Sequence, residues 1–343
     1  MTMFKLNLQM FAYDPQSQPA NYTGSPELSA EMKTHYDMTL IDEATPMLVH
    51  DQFGQPKPIP KGKGKTIEFR KFAPLAKATK PLTEGVTPDG KSLTVSTITA
   101  EVSQYGDFIT QTDMLDLTTI DPIIIEATKL LGNQAGVTLD TITRNVLQSG
   151  TNVTYCPKVS ADGVETAVTS RASLDSPAQL TVNVVKKVVA KLRAQNAPTI
   201  NGDYIAIVHP YVAYDIMSDP NWIDAHKYAN PENLYEGEIG KIGGVRFVET
   251  SEAKIYSGAG CPEGLAVFGS LFMGANAYGV TEITGGGLQT IVKQKGSSGT
   301  ADPLDQRSSV GWKATKTAEL LVPNYLVRVE SCSKEFSATA IAN

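Results

Sequence analysis

The chain has 343 residues, enough for about two domains or one with large insertions, and 41% are apolar, ample for a buried core. Lysine and arginine number 30 against 36 aspartates and glutamates, a formal net charge of −6, which excludes a surface that attracts polyanions everywhere. Cys156, Cys261 and Cys332 show no CxxC spacing and are odd in number, which excludes a zinc ribbon or a disulfide framework and fits a reducing compartment.

The first 24 residues, MTMFKLNLQMFAYDPQSQPANYTG, lack the charged, apolar, small-residue order of a secretory signal. No apolar run reaches the roughly 18 residues of a membrane helix, so a soluble cytoplasmic product is expected. The N-terminus then reads as a loose arm or as a short strand docked on a partner. Ser25 and Pro26 cap a first helix that carries Leu28, Met32, His35, Tyr36 and Leu40 at helical spacing.

From Pro56 to Lys80 the composition changes. Lys57, Lys61, Lys63, Lys65, Arg70, Lys71, Lys77 and Lys80 stand against the single acid Glu68, a local net of +7 that leaves −13 for the rest. TIEFRKF predicts a strand, TEGVTPDG a turn region and KSLTVSTITAEV the returning strand. Alternation breaks at Phe72 and at Ile98, which predicts a bulge or a strong twist. A hairpin this polar has little apolar surface for a core of its own and is expected to lie on something else.

Asp121 and Pro122 open a long helix in which Ile124, Ala127, Leu131, Ala135, Leu139, Ile142 and Val146 recur at steps of three and four until Ser149-Gly150. Residues 151 to 175 are turn-rich. Ser176-Pro177 is expected to cap a second helix with a Leu180, Val184, Val188, Leu192 stripe, its lysines solvated, ending at Asn196. DYIAIV reads as a buried strand, and PYVAYDIM after His209 as a short helix. Further short strands are expected near 245–250, 264–268, 278–283, 288–294, 309–321 and 325–331. That order describes a mixed α+β chain in which segments on either side of the α/β region share a sheet.

The chemistry-bearing residues form no catalytic set. His35, His50, His209 and His226 match no metal-binding spacing, and His209 before Pro210 reads as structural. The glycine clusters at 62–64, 243–244 and 285–287 lack both GxGxxG and GK[ST]. No G-x-S-x-G is present, and the pairs Asp113/Asp116 and Asp302/Asp305 carry no spatial information. No cofactor and no metal are expected. The basic hairpin remains, as a nucleic-acid contact, a seat on an acidic partner or a solvated loop. With −13 on the rest of the chain, a second copy is a suitable acidic partner, which makes the eight basic residues candidates for a subunit interface.

Four stretches, NLQMFA near the start, HPYVAYDIMSDPNWIDAHKYANPENLYEGEIGKIGGVRFVET (209–250), LFMGANAYGV (271–280) and DPLDQRSSVGWK (302–313), together resemble the major capsid proteins of tailed bacteriophages. The resemblance spans nearly the whole chain and is to the subgroup found with the short-tailed coliphages that have a giant virion polymerase. It implies an α+β fold of N-terminal arm (1–49), extended β-hairpin loop (50–105), peripheral domain (106–175) with a spine helix (121–150), axial domain (176–287) and a return to the peripheral domain (288–343).

It also implies a homo-oligomer of hexamers and pentamers, an icosahedral virion shell assembled in the host bacterial cytoplasm, that encloses double-stranded DNA without sequence-specific binding. A portal and decoration proteins would be partners, with no membrane. Some relatives carry an N-terminal scaffold domain or lysine–asparagine cross-links. Here the N-terminus is too short for the former and no cross-linking trio can be assigned, so a separate scaffold and non-covalent contacts are expected. Segment 302–313 is expected at a domain junction, with Asp302, Asp305, Arg307, Trp312 and Lys313 as candidates, Arg307 or Lys313 pairing with acids, and Trp312 either at a boundary or in an ordinary core. The alternatives are a cargo compartment with the same fold, like an encapsulin, and an α/β enzyme.

Overall fold

The computed structural model describes residues 48–343, except 73–74, 80, 82–83, 86, 88–89, 119–122, 161–163, 230–239 and 298–301. The expected arm, the helix from Ser25 and the Asp121-Pro122 cap lie outside the described residues.

The elements in chain order begin with β1 (Gln55–Pro56), β2 (Thr66–Phe72), β3 (Val95–Glu101) and β4 (Ser103–Thr112). Then come α1 (Asp113–Thr118), α2 (Ile123–Gln148), β5 (Val153–Tyr155), β6 (Lys158–Val159), β7 (Glu165–Thr166) and α3 (Val182–Ala194). The middle holds β8 (Tyr204–Val208), α4 (Pro210–Met217), α5 (Pro220–Ala229), β9 (Lys241–Ile242), β10 (Val245–Glu249) and β11 (Ile255–Tyr256). The chain continues through β12 (Val267–Met273), β13 (Tyr278–Thr281), β14 (Gln289–Lys293), β15 (Arg307–Leu320) and β16 (Leu326–Ser331).

Contacts divide the chain into two units. One comprises Gln104–Thr138 and Gly286–Thr315, with Leu48; the other comprises Val49–Ser103, Leu139–Gly285 and Lys316–Asn343.

The larger unit is built on a seven-stranded sheet in the order β5-β16-β12-β8-β10-β9, with β11 beside β12. The β8–β10 and β5–β16 pairs are parallel and the other pairs antiparallel. Both faces of β8 are covered: Tyr204, Ala206 and Val208 join one apolar cluster with α3 and α4, while Ile205 and Ile207 join another with Leu147, Leu271, Met273 and Tyr278. Burial on both faces explains the unbroken apolar run of YIAIV.

Helix α3 begins at Val182, not near Ser176. Thr181 caps it through Val184 N at 3.4 Å, and the Asp219 carboxylate accepts a hydrogen bond from Val182 N at 2.9 Å. A cap supplied from 37 residues away overrides the local Ser-Pro signal. His209 does act structurally: its Nδ1 accepts from Tyr211 N at 3.2 Å at the start of α4.

The hairpin pairs β2 with β3 through seven consecutive partners, from Thr66↔Glu101 to Phe72↔Val95. The expected bulge is absent. The alternation fails because Leu93, just before β3, and Val95, its first residue, are exposed, so no face has to be kept apolar there. At its root, Phe69 and Ala100 pack with Leu321, joined by Ile67, Ile98 and Val322. The hairpin root therefore has a small core within its own chain.

In the smaller unit, β14 runs antiparallel to β15 with Gln289↔Lys313 to Lys293↔Ser309 in register, and β4 also pairs with β15. Two glycines permit close strand approach. A Cβ at Gly106 would lie 2.5 Å from the Trp312 carbonyl, and one at Gly311 would lie 2.6 Å from Phe108 Cβ.

Candidate subunit interface

The basic residues of the hairpin point to solvent. Lys57, Lys61, Lys63, Lys65, Arg70, Lys71 and Lys77 are all exposed, and Lys80 lies outside the described residues. Lys61 and Lys63 alternate with Gly62 and Gly64, whose φ values of 82° and 89° turn the chain tightly.

Two of these cations have local partners. Lys65 pairs with Glu101, both side chains mostly exposed, a contact worth about 0–1 kcal/mol. Lys57 sits 5.1 Å from the Phe69 ring centroid and donates to the Glu68 carbonyl at 3.3 Å. Among the described residues, Lys61, Lys63, Arg70, Lys71 and Lys77 carry no ion pair. Five unneutralised cations on a slender element form a concentrated positive surface.

Segment 302–313 forms a fixed turn followed by a strand. The buried Asp302 carboxylate accepts from Arg307 N at 2.7 Å, and Asp305 N donates to Asp302 O at 3.1 Å. Asp302 is thus satisfied by the backbone of Arg307. Asp305 adopts φ 52° and is exposed. Lys313 is half-buried opposite Gln289 and has no ion pair among the described residues. Trp312 is 4% exposed and lies within the smaller unit. Its Nε1 donates to Gln134 Oε1 at 3.2 Å, and Gln134 Nε2 donates to Asp107 Oδ2 at 2.7 Å. That chain ties β15, α2 and β4 together.

A buried polar cluster in the larger unit was not anticipated from sequence. His50 N donates to Asp140 Oδ1 at 2.7 Å, and His50 Nδ1 lies 2.6 Å from Asp140 Oδ2, both residues being fully buried. Next to it, Thr143 donates to Asp51 Oδ1 at 2.6 Å, Lys316 pairs with Asp51 Oδ2 and donates to the Leu139 carbonyl at 3.1 Å, and Tyr278 OH donates to the His50 carbonyl. Burial pushes the Tyr278 phenol well above its ordinary value. The cluster clamps residues 50–51 to the C-terminal half of α2. No local signal marks it, because its bonded partners are up to 265 positions apart and each is unremarkable alone.

Elsewhere in the larger unit, Arg171 forks onto Glu330 at 2.7 and 2.6 Å and stacks 3.6 Å from the Tyr256 centroid. Hydrogen bonding to Glu330 holds the guanidinium pKa above its ordinary value. These are tie points of the fold. Among the described residues no group of three or more histidines, cysteines or carboxylates is placed to hold a metal ion, and no helix is long and apolar enough to cross a membrane.

A family model described as phage capsid protein matches residues 95–326, more than half of the chain. No curated protein matches. Among solved structures, the capsid of Ralstonia phage GP4 is similar at TM-score 0.62 and 15% identity, covering 97% of this chain and 98% of that one. The cyanophage Pam1 capsid is similar at TM-score 0.62 and 14% identity, covering 94% and 98%. The capsid of cyanophage P-SCSP1u is similar at TM-score 0.63 and 13% identity, covering 82% and 87%. These likenesses show the fold of phage capsid proteins, and the match of the family model over more than half of the chain establishes that it belongs to the phage capsid protein family, as a structural protein of the capsid.

Proposed function

We propose that this chain is the major capsid protein whose hexamers and pentamers enclose double-stranded DNA, and that the basic hairpin is an interface between copies. The observation that carries the reading is the charge division: five exposed, unpaired cations on the hairpin face a chain that is otherwise −13. Many repeats of one weak contact make a strong shell.

The net charge of −6 supports an inner surface that leaves DNA ungripped, since phosphate affinity grows with the number of neutralising cations. In this reading, residues 50–105 are the extended loop, 121–150 the spine, 176–287 the axial domain and 288–343 the return to the peripheral domain. A separate scaffold directs assembly in the bacterial cytoplasm, a portal fills one vertex and decoration proteins bind outside. The chain has no enzymatic role.

Electron microscopy of the purified full-length protein, alone and co-expressed with a phage scaffold, tests this. Icosahedral particles that fill with DNA in a packaging reaction are expected. Particles filled with a foreign enzyme, or a monomer with turnover, would reject it.

A further inference from the structure

The root of the hairpin holds an open groove of about 330 Å³. Its floor is apolar, made by Phe69, Ile98, Leu321 and Val322, and its rim carries Lys57, Arg70 and Lys71. Lys57 is engaged over the Phe69 ring, whereas Arg70 and Lys71 are exposed without ion pairs among the described residues. An apolar floor under a cationic rim selects a ligand that offers a carboxylate next to an aliphatic side chain. A phosphate backbone would satisfy the rim and leave the floor wet.

The chain itself presents such a ligand. In the turn after Asp302, Leu304 is 75% exposed, more than any other large apolar side chain described except Ile341. Asp305 follows it, exposed and without a cation partner among the described residues. Pro303 restricts the backbone, and the Asp302 bonds to Arg307 N and Asp305 N fix the apex. A turn already held in shape loses little chain entropy on docking.

We infer that the root groove of one copy receives the Leu304–Asp305 turn of a second copy, with Leu304 on the Phe69 and Leu321 floor and Asp305 at Lys71, which alternation in β2 places on the same face as Phe69. The inference rests on the shell reading above, because it names one contact of that shell. Groove and turn are different surfaces, so the contact is heterologous: each copy offers one of each, and pairing propagates into rings or nets. A self-complementary patch would close at a dimer.

The test uses full-length protein carrying Gln55→Cys and Gln306→Cys together, one exposed at the groove and one exposed beside the turn, so that Leu304, Asp305 and Lys71 all remain. Of the native cysteines, Cys156 and Cys332 are buried and Cys261 is half-buried, so wild type and both single variants serve as background. Oxidising assembled particles should give a ladder of covalent multimers in the double variant alone. Shells without a ladder, or a cross-link confined to one chain, would overturn the docking while leaving the shell reading intact. A wild-type protein that forms no shells, with or without scaffold, would overturn both.

A charge swap gives an independent arm. Asp305→Lys alone, and Lys71→Glu alone, should each lower shell yield about ten-fold, and their combination should recover it to within about two-fold. Losses that merely add in the combined variant would reject the pairing even if every variant folds.

Discussion

His209, which caps helix α4, and Asp215, within it, titrate in opposite senses. Burial holds the His209 ring down at about 4 from its ordinary 6.5, and burial raises the Asp215 carboxyl to about 6 from 3.8. Between pH 6.5 and 4 the unfolded chain binds a proton at His209 that the folded chain refuses, so this residue lowers stability as the pH falls, by up to about 3 kcal/mol. Asp215 does the reverse: the folded chain takes up its proton first, so its contribution rises as the pH falls from 6 to 3.8. The two partly cancel. His209→Asn keeps a side chain able to cap α4 and should leave only the Asp215 gain, so the variant's stability relative to wild type rises between pH 6 and 4. Asp215→Asn should fall relative to wild type over the same range. Urea unfolding of dissociated subunits measures both differences, and curves that stay parallel to wild type would show that neither group is buried as described.

At the scale of elements, the crossing of β4 and β15 depends on missing side chains. Adding a methyl at Gly311 puts carbon 2.6 Å from Phe108 Cβ and 2.8 Å from the Asp107 carbonyl, contacts that only a backbone shift relieves. Gly311→Ala should therefore destabilise the smaller unit by about 1–3 kcal/mol, read as faster amide exchange in β4 and β15. Gly90→Ala, with nothing within 4 Å, should change stability by less than about 0.5 kcal/mol. The long helix α2, the hairpin strands and the strand β8 were legible because each repeats one local pattern over many residues or buries a continuous apolar run. The start of α3 was misplaced because Asp219 caps it from a distant segment. Strand β4 went unread because SQYGDFITQT does not alternate, with its exposed and buried positions irregular. Helix α5, PNWIDAHKYA, was missed because it shows no repeating apolar stripe: in its described part the adjacent Trp222 and Ile223 supply the packing against the core. Of the candidate site, composition revealed the cation cluster. The groove beneath it was hidden, since its floor joins residues 69 and 98 to 321 and 322 by tertiary packing.

At the scale of the whole molecule, charge and exposure decide what the hairpin does. Seven register pairs and a small apolar root hold it in place, so its outer cations are free to act on other molecules without supporting the fold. Lys61, Lys63 and Lys77 are exposed and unpaired among the described residues. Lys65 is left alone because reversing it would set a second negative charge against Glu101. Changing the three free lysines to glutamate takes the Pro56–Lys80 stretch from +7 to +1 while disturbing no buried contact. Subunit melting temperature and circular dichroism should then match wild type. Assembly should be lost or delayed, because each surface attraction of about 0–1 kcal/mol is repeated in every copy of the shell. Salt must act in the same direction on the wild type: raising ionic strength from 0.1 M to 1 M shortens the screening length from about 10 Å to about 3 Å, and light scattering should record slower assembly. A triple variant that assembles at the wild-type rate in both salts would make the hairpin a solvated loop and remove charge as the reason for its composition.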